Sequence, residues 1–287
     1  MLQLEELTEI SGLNIKAKVG STWVDPVIQA NIGGTWTKVK KAYGKVGGTW
    51  QKTYEYESVY TFSNGVHTSV DLDALSLDRF HDVRIVVPSG ATLVASSTGT
   101  FALKTGTSHN AKLTIQNFGT IIGRGGNGGN GGFGYSYNQI AGATNGTSGG
   151  TAIHIESNVI ISNNGTIAGG GGGGGGAEGY VHTGTAYGGG GGGGGGRPYG
   201  AGGSGGSTTH SGGNGSAGSL ASQGSGGSGG FDGTVRGGVG GAGGAAGSSG
   251  SQGGEITGDH GHVVESNKGV GGVAGETYHN PSNFSTS

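Results

Sequence analysis

Residues 188–207 read GGGGGGGGGRPYGAGGSGGS: an uninterrupted glycine run, a turn at Arg197-Pro-Tyr199, then Ala201 and Ser204 three residues apart among more glycines. The interval recurs. Arg124, Asn127 and Asn130 interrupt one tract, Asn214 and Ala217 another, Ser225 and Ser228 a third, Val239, Ala242 and Ala245 a fourth, Val270 and Val273 a fifth. Three residues per turn is the period of the left-handed polyproline-II type helix, with a rise of about 3.1 Å per residue. Each tract would then keep one edge for side chains and two edges of bare backbone, close enough to neighbouring rods to exchange N–H···O=C and Cα–H···O contacts. A Gly/Ser run otherwise reads as flexible linker, because glycine loses the most freedom on ordering. The spacing argues for order.

Working outward, the chain reads as ten such rods: 123–132, 142–150, 168–176, 188–196, 200–206, 212–218, 224–230, 237–243, 247–254 and 269–275. Each reverses the one before, so parity collects the connections 133–141, 177–187, 207–211, 231–236 and 255–268 at the far end. They contain Phe133, Tyr135, Tyr137, Tyr180, His182, Tyr187, His210, Phe231, Asp232, Arg236, His260 and His262. Tyr and His supply contact area and hydrogen bonds at low entropic cost, so these twelve are the candidate receptor-binding residues. The near-end turns are Arg197-Pro-Tyr199, Ser219 to Gln223 and Gly244 to Ala246. The uninterrupted tracts around Gly172 and Gly192 carry no side chain on any edge and are expected to be surrounded by the other rods.

The glycine bias is confined. Of 75 glycines in 287 residues, 11 fall in the first 118 and 64 in the rest, where ordinary usage is about 7%. With 4 Pro and no strict G-X-Y period, the chain is not collagen. Val19-Gly-Ser-Thr-Trp23, Ile32-Gly-Gly-Thr-Trp36 and Val46-Gly-Gly-Thr-Trp50 repeat one phrase, each a β-turn delivering a Trp onto a short strand around a small Trp-filled core. Residues 54–118 continue with strand patterns. Ile115-Gln-Asn-Phe-Gly-Thr-Ile121 and Ile161-Ser-Asn-Asn-Gly-Thr-Ile167 are near copies, each running into a glycine tract. The expected fold is an N-terminal all-β domain followed by a glycine-rich bundle of about ten polyglycine-II helices, with essentially no α-helix. Its units are an attachment region (1–53), a β-rich domain (54–122) and the bundle (123–287), which includes a β insert at 151–167.

Other function classes are set aside on composition. Net charge is −2, and the lysines between the Trp repeats read as solvated strand faces, so nucleic acid is not an expected partner. No apolar run is long enough to span a bilayer, and the amino terminus lacks the pattern of a signal peptide. There is no cysteine. The many G-x-G-x-x-G matches are trivial in this composition, since no helix pattern or G-K-[ST] follows. Residues 119–250 hold only Asp232 where calcium-binding repeats would need an Asp in each nonapeptide. Asp259-His-Gly-His262 offers two imidazoles and a carboxylate, for a metal or for recognition. The acids of the second region are scattered over separate loops, which argues against a surface-polysaccharide hydrolase. No cofactor is implied. An ice-binding or structural glycine-rich protein is the competing reading.

Ile115-Gln-Asn117 leading to Gly123-Arg-Gly-Gly-Asn-Gly-Gly129, Asn164-Gly-Thr-Ile-Ala-Gly-Gly170 and Gly196-Arg-Pro-Tyr-Gly-Ala-Gly-Gly203 resemble the receptor-recognising adhesins at the tips of long tail fibres of T-even-type bacteriophages, over about residues 111–287. The resemblance implies a sandwich of polyglycine-II helices whose distal loops touch a bacterial outer-membrane protein or surface glycan. It also implies a non-enzymatic virion tail component, assembled in the host cytoplasm and joined to a phage tail or fibre protein through its N-terminal region. That region departs from the family's fibre-docking domain, and its Gly-Gly-Thr-Trp repeats resemble modules of other phage tail proteins.

Overall fold

The computed structural model describes residues 17–19, 22–24, 29–39, 41–78, 81–107, 112–136, 139–182, 186–258, 263–265 and 267–280. Among them the structure is all β and extended chain, with a single 3-10 turn at Leu72–Ala74. No helix among the described residues is long and apolar enough to cross a membrane.

Three antiparallel hairpins come first: β1 (Ala17–Val19) with β2 (Thr22–Val24), β3 (Gln29–Ile32) with β4 (Thr35–Lys38), and β5 (Lys41–Val46) with β6 (Thr49–Glu55). Gly33-Gly34 and Gly47-Gly48 form the two-residue turns of the second and third, with φ of 59°, 86°, 56° and 84°. Positive φ at both positions is the geometry that matches the twist of flanking strands, and glycine adopts it without strain. The Trp-filled core expected from the sequence does not form: Trp36 and Trp50 are 66% and 68% exposed. Both indoles face outward from their hairpins.

From residue 57 the chain winds a three-sided parallel coil, whose faces are the sheets β7-β10-β13-β18, β8-β11-β14-β19 and β9-β12-β17-β25. The first rung is β7 (Glu57–Thr61), β8 (Gly65–Thr68) and β9 (Val70–Asp71), and the second is β10 (Asp82–Val87), β11 (Ala91–Val94) and β12 (Leu103–Lys104). The third begins with β13 (Leu113–Asn117) and β14 (Thr120–Ile122), leaves the coil through hairpin β15 (Phe133–Ser136) and β16 (Gln139–Ala141), and returns as β17 (Ile153–His154). The fourth begins with β18 (Val159–Asn163) and β19 (Thr166–Ala168). Its excursion carries β20 (Tyr180–His182), β21 (Ala186–Gly188), β22 (Val235–Arg236), β23 (Thr257–Gly258) and β24 (Val263–Glu265) before it returns as β25 (Tyr278–His279).

The near copies are stacked rungs, with Ile115 opposite Ile161 and Ile121 opposite Ile167. Alternate residues point inward. Ile85, Leu93, Leu103, Ile115, Ile121 and Ile153 are fully buried in one core shared by all three faces. The repeated Asn turns a corner: Asn117 Nδ2 donates to Asn163 Oδ1 at 2.8 Å, and Asn117 Oδ1 accepts from Gly119 N. Residues 151–167 are therefore not an insert within the glycine region. They complete the third rung and open the fourth, because Ile153 pairs in register with Leu103, and 159–163 and 166–168 pair with 113–117 and 120–122. On the outside of the third face Asp71, Lys104, His154 and His279 stand in register. The Phe101, His154 and His279 rings cluster nearly parallel, with centroids 4.3 Å (Phe101–His154), 5.1 Å (His154–His279) and 6.0 Å (Phe101–His279) apart.

The glycine tracts fill both excursions and hydrogen-bond to one another every third residue. In tract 188–196, the N–H groups of Gly190, Gly193 and Gly196 donate at 2.8 Å to the carbonyls of Gly132, Gly129 and Gly126. Gly191 and Gly194 donate to Gly238 and Gly241, and Gly189, Gly192 and Gly195 to His210, Gly213 and Ser216. Its carbonyls accept from tracts 168–176, 200–206 and 224–230. Six tracts thus surround it. Tract 168–176 is enclosed in the same way, by 123–132, 142–150, 188–196, 237–243, 247–254 and 269–275. The pairings generate three layers: 142–150, 123–132, 200–206; then 269–275, 168–176, 188–196, 212–218; then 247–254, 237–243, 224–230.

Side chains occupy the outward edges: Asn127, Asn130, Ser204, Asn214, Ser225, Val239, Val270 and Val273 are all exposed. Several also serve the backbone. Asn127 and Asn130 Oδ1 accept from Ala201 and Ser204 N at 2.9 and 3.0 Å, Asn145 Oδ1 from Val270 N, and Ser216 Oγ from Ser225 N. These bonds satisfy amides for which an outer tract has no neighbouring rod.

Candidate recognition surface at the far end of the tracts

Hydrogen-bond register alternates the tract directions, so the described residues of the connections 133–141, 177–187, 207–211, 231–236 and 255–268 lie together at the end remote from the coil. They are laced into small sheets. β15 pairs with β16, β20 with both β21 and β24, and β22 with β23; Gly188 bridges to His210, whose N donates to the Tyr187 carbonyl at 3.0 Å.

Tyr180, Val235 and Ile256 form a small apolar cluster beneath these loops. Tyr180 is fully buried, and its hydroxyl donates to the Val235 carbonyl at 2.7 Å. Burial, with the nearby Asp232 carboxylate, pushes its phenol well above the ordinary range. Its ring lies where a side chain on residue 188 would stand, which is why that position is Gly. Glu178 is also buried and accepts from Ile256 N at 3.2 Å, tying loop 177–187 to loop 255–268.

Loop 231–236 is built on its own amides. Asp232 Oδ1 accepts from Thr234 and Val235 N, each at 2.8 Å, across Gly233 at φ 102°. Phe231 and Arg236 face each other across the loop, with the guanidinium 4.8 Å from the ring centroid. Phe231 is 48% exposed.

The structure therefore brings Phe133, Tyr180, Tyr187, His210, Phe231, Asp232 and Arg236 to one end. Tyr180 is corrected from contact residue to support, because the loops bury it completely, and Asp232 shapes a turn. Tyr135 and His182 lie on β15 and β20, but their side chains are outside the description; Tyr137, His260, His262 and the adjoining Asp259 lie outside the described residues. Among the described residues no group of three or more His, Asp or Glu could hold a metal ion. Sequence reasoning missed Val235, Ile256 and Glu178. The available signal was a branched apolar residue inside a short polar loop, which is costly unless buried. A second exposed aromatic surface is the hairpin set, where Tyr43 is 56% exposed besides the two indoles.

Residues 57–286 match the family model described as phage tail fibre adhesin Gp38. The solved gp37-gp38 adhesin tip complex of the bacteriophage S16 long tail fiber is similar at 25% identity, with 81% of each chain covered and a TM-score of 0.41. No curated protein matches the sequence.

Proposed function

The chain belongs to the phage tail fibre adhesin family, and from that membership we propose that it is the tip adhesin of a T-even-type long tail fibre, binding a receptor on the host surface through the far-end loops. The observation that carries this reading is the lacing of loops 177–187, 207–211, 231–236 and 255–268 into one surface, beside hairpin β15-β16, at the end of the tracts remote from the coil. In this reading the tracts are polyglycine-II helices, which fits their three-residue hydrogen-bond period. They project from the coil and preorganise the loops, so that binding costs little ordering entropy. The receptor is an outer-membrane protein or surface glycan, the role is adhesion without catalysis, and the protein joins the virion tail after assembly in the host cytoplasm.

The attachment end is the hairpin set. Trp36 and Trp50 are large, exposed and rigid, as protein–protein anchors are, and residues 17–55 lie outside the matched family region. The S16 structure holds gp38 together with gp37, and a fibre protein is the partner proposed for these indoles.

Two variants separate the ends. Replacing Tyr135, Tyr187, His210 and Phe231 together with Ser should abolish adsorption to host cells while leaving capture by the fibre protein intact. Trp36→Ala with Trp50→Ala should do the reverse. Unchanged adsorption by the folded four-loop variant would refute recognition at the tip.

A further inference from the structure

Loop 231–236 is held by backbone or carboxylate bonds on both sides of its turn. Val235 is fully buried under the Tyr180 hydroxyl, Arg236 pairs with Thr257, Phe231 bridges to Arg236, and the Asp232 carboxylate holds the turn amides. The tip of the turn, Gly233, has open space around it. On this rigid loop Arg236 is exposed, with its guanidinium stacked on Phe231.

The nearby acids are engaged elsewhere. Asp232 is bound to its own turn, Glu178 accepts from Ile256 N, and Glu255 pairs with Lys268; no carboxylate among the described residues forms an ion pair with Arg236. A guanidinium stacked on an aromatic ring is oriented, weakly hydrated and left with its N–H edge free, the arrangement that grips a planar carboxylate with two parallel bonds. The guanidinium already occupies one face of Phe231, which leaves less of the ring for stacking a sugar.

We propose that Arg236, held on Phe231, is an anchor for an Asp or Glu carboxylate on an exposed loop of a host surface protein. This deepens the tip-recognition reading and rests on it.

The test uses the full chain and outer-membrane vesicles from a strain whose cells adsorb it. Arg236→Ala should weaken vesicle binding about 30-fold, as loss of an interface hot spot does, with an unchanged melting temperature. Arg236→Lys should recover only a small part, because a point charge lacks the fork. Amidating vesicle carboxylates with carbodiimide and glycinamide should bring the wild-type chain down to the level of Arg236→Ala and leave that variant unmoved. Protease shaving of the vesicles should abolish binding, and periodate oxidation should not. Binding by Arg236→Ala within threefold of wild type overturns the proposal, as does loss of binding on periodate treatment alone, which would assign the acid to a glycan. If Arg236→Ala binds normally while the four-loop serine variant does not, only this proposal fails. If both bind normally, the tip reading fails with it.

Discussion

Replacing Gly192 with Ala adds one methyl group at the middle of an enclosed tract. Its Cβ would overlap the Gly203 carbonyl oxygen and lie 2.5 Å from the Gly203 carbonyl carbon and 2.8 Å from the Ser204 carbonyl carbon, where ordinary contact is 3.4–4 Å. Those are backbone atoms, so no rotamer change relieves the clash. Tract 200–206 must retreat by about 1 Å, which breaks its bonds to tract 188–196: Gly203 N to Gly193 O at 2.8 Å, and Gly206 N to Gly190 O and Gly200 N to Gly196 O at 2.9 Å. Three bonds at about 1 kcal/mol each, plus about 1–3 kcal/mol for a buried group left unpaired, come to roughly 4–6 kcal/mol. The reduced freedom of the unfolded chain returns at most about 1 kcal/mol. The net loss of about 3–5 kcal/mol is a large share of a typical stability of about 5–15 kcal/mol. At about 2–4 °C per kcal/mol, the melting temperature in calorimetry should fall by roughly 6–20 °C. Ser225→Val, on an exposed edge, should melt within about 2 °C of wild type. Equal melting temperatures for wild type and Gly192→Ala would refute the enclosure of this tract.

Tyr180→Phe should lower stability by about 1 kcal/mol, by removing the hydroxyl bond to the Val235 carbonyl, and should accelerate amide exchange in loop 231–236; an unchanged exchange rate there would contradict its supporting role. Asn127→Ala should speed exchange of the Ala201 amide at least about tenfold and leave that of Gly203 unmoved, because only the former uses the Asn127 side chain. His154 has its pKa lowered below the ordinary 6.5, first by burial, with Glu156 opposing and His279 and Lys104 adding to the shift. The unfolded chain therefore takes up this proton first, so the stabilisation is complete above about pH 6.5 and declines as pH falls below it. The protection factor of the Ile155 amide, which donates to the His279 carbonyl at 2.9 Å, should fall on acidification in the wild type and less so in His154→Phe.

How much of this was legible follows from where the side chains are. The tracts announced themselves because a Cβ is forbidden on two edges and tolerated on the third, so a three-residue period is written directly in residue type. Full glycine runs at 169–176 and 188–196 marked the two tracts that six others surround. Parity then placed the loops without any knowledge of their conformation. The coil was harder. Alternation identified strands such as 83–87 and 113–115, but a parallel rung and an antiparallel hairpin share that pattern, so the return of 151–167 and of 278–279 to the coil was hidden until register was known. The indoles misled for the opposite reason: Trp is usually well buried, and nothing in a repeated Gly-Gly-Thr-Trp says which face of a hairpin another protein covers. Tyr180 was counted among the loops because of its position, while its burial depended on Val235 and Ile256, 55 and 76 positions further along the chain.

Both excursions begin and end on rungs of the coil, at 122 and 153 for the first and at 168 and 278 for the second. Every covalent path from the loops to the rest of the molecule therefore runs lengthwise through the tracts. A pull on the loops away from the coil loads the tracts along their axes, while the bonds joining them lie crosswise. Such bonds are sheared together and share the force, instead of opening one after another as in an unzipping hairpin. The glycine array is thus a tensile element: a wrench that would peel a loop-borne site from a flexible stalk is spread across the whole cross-section.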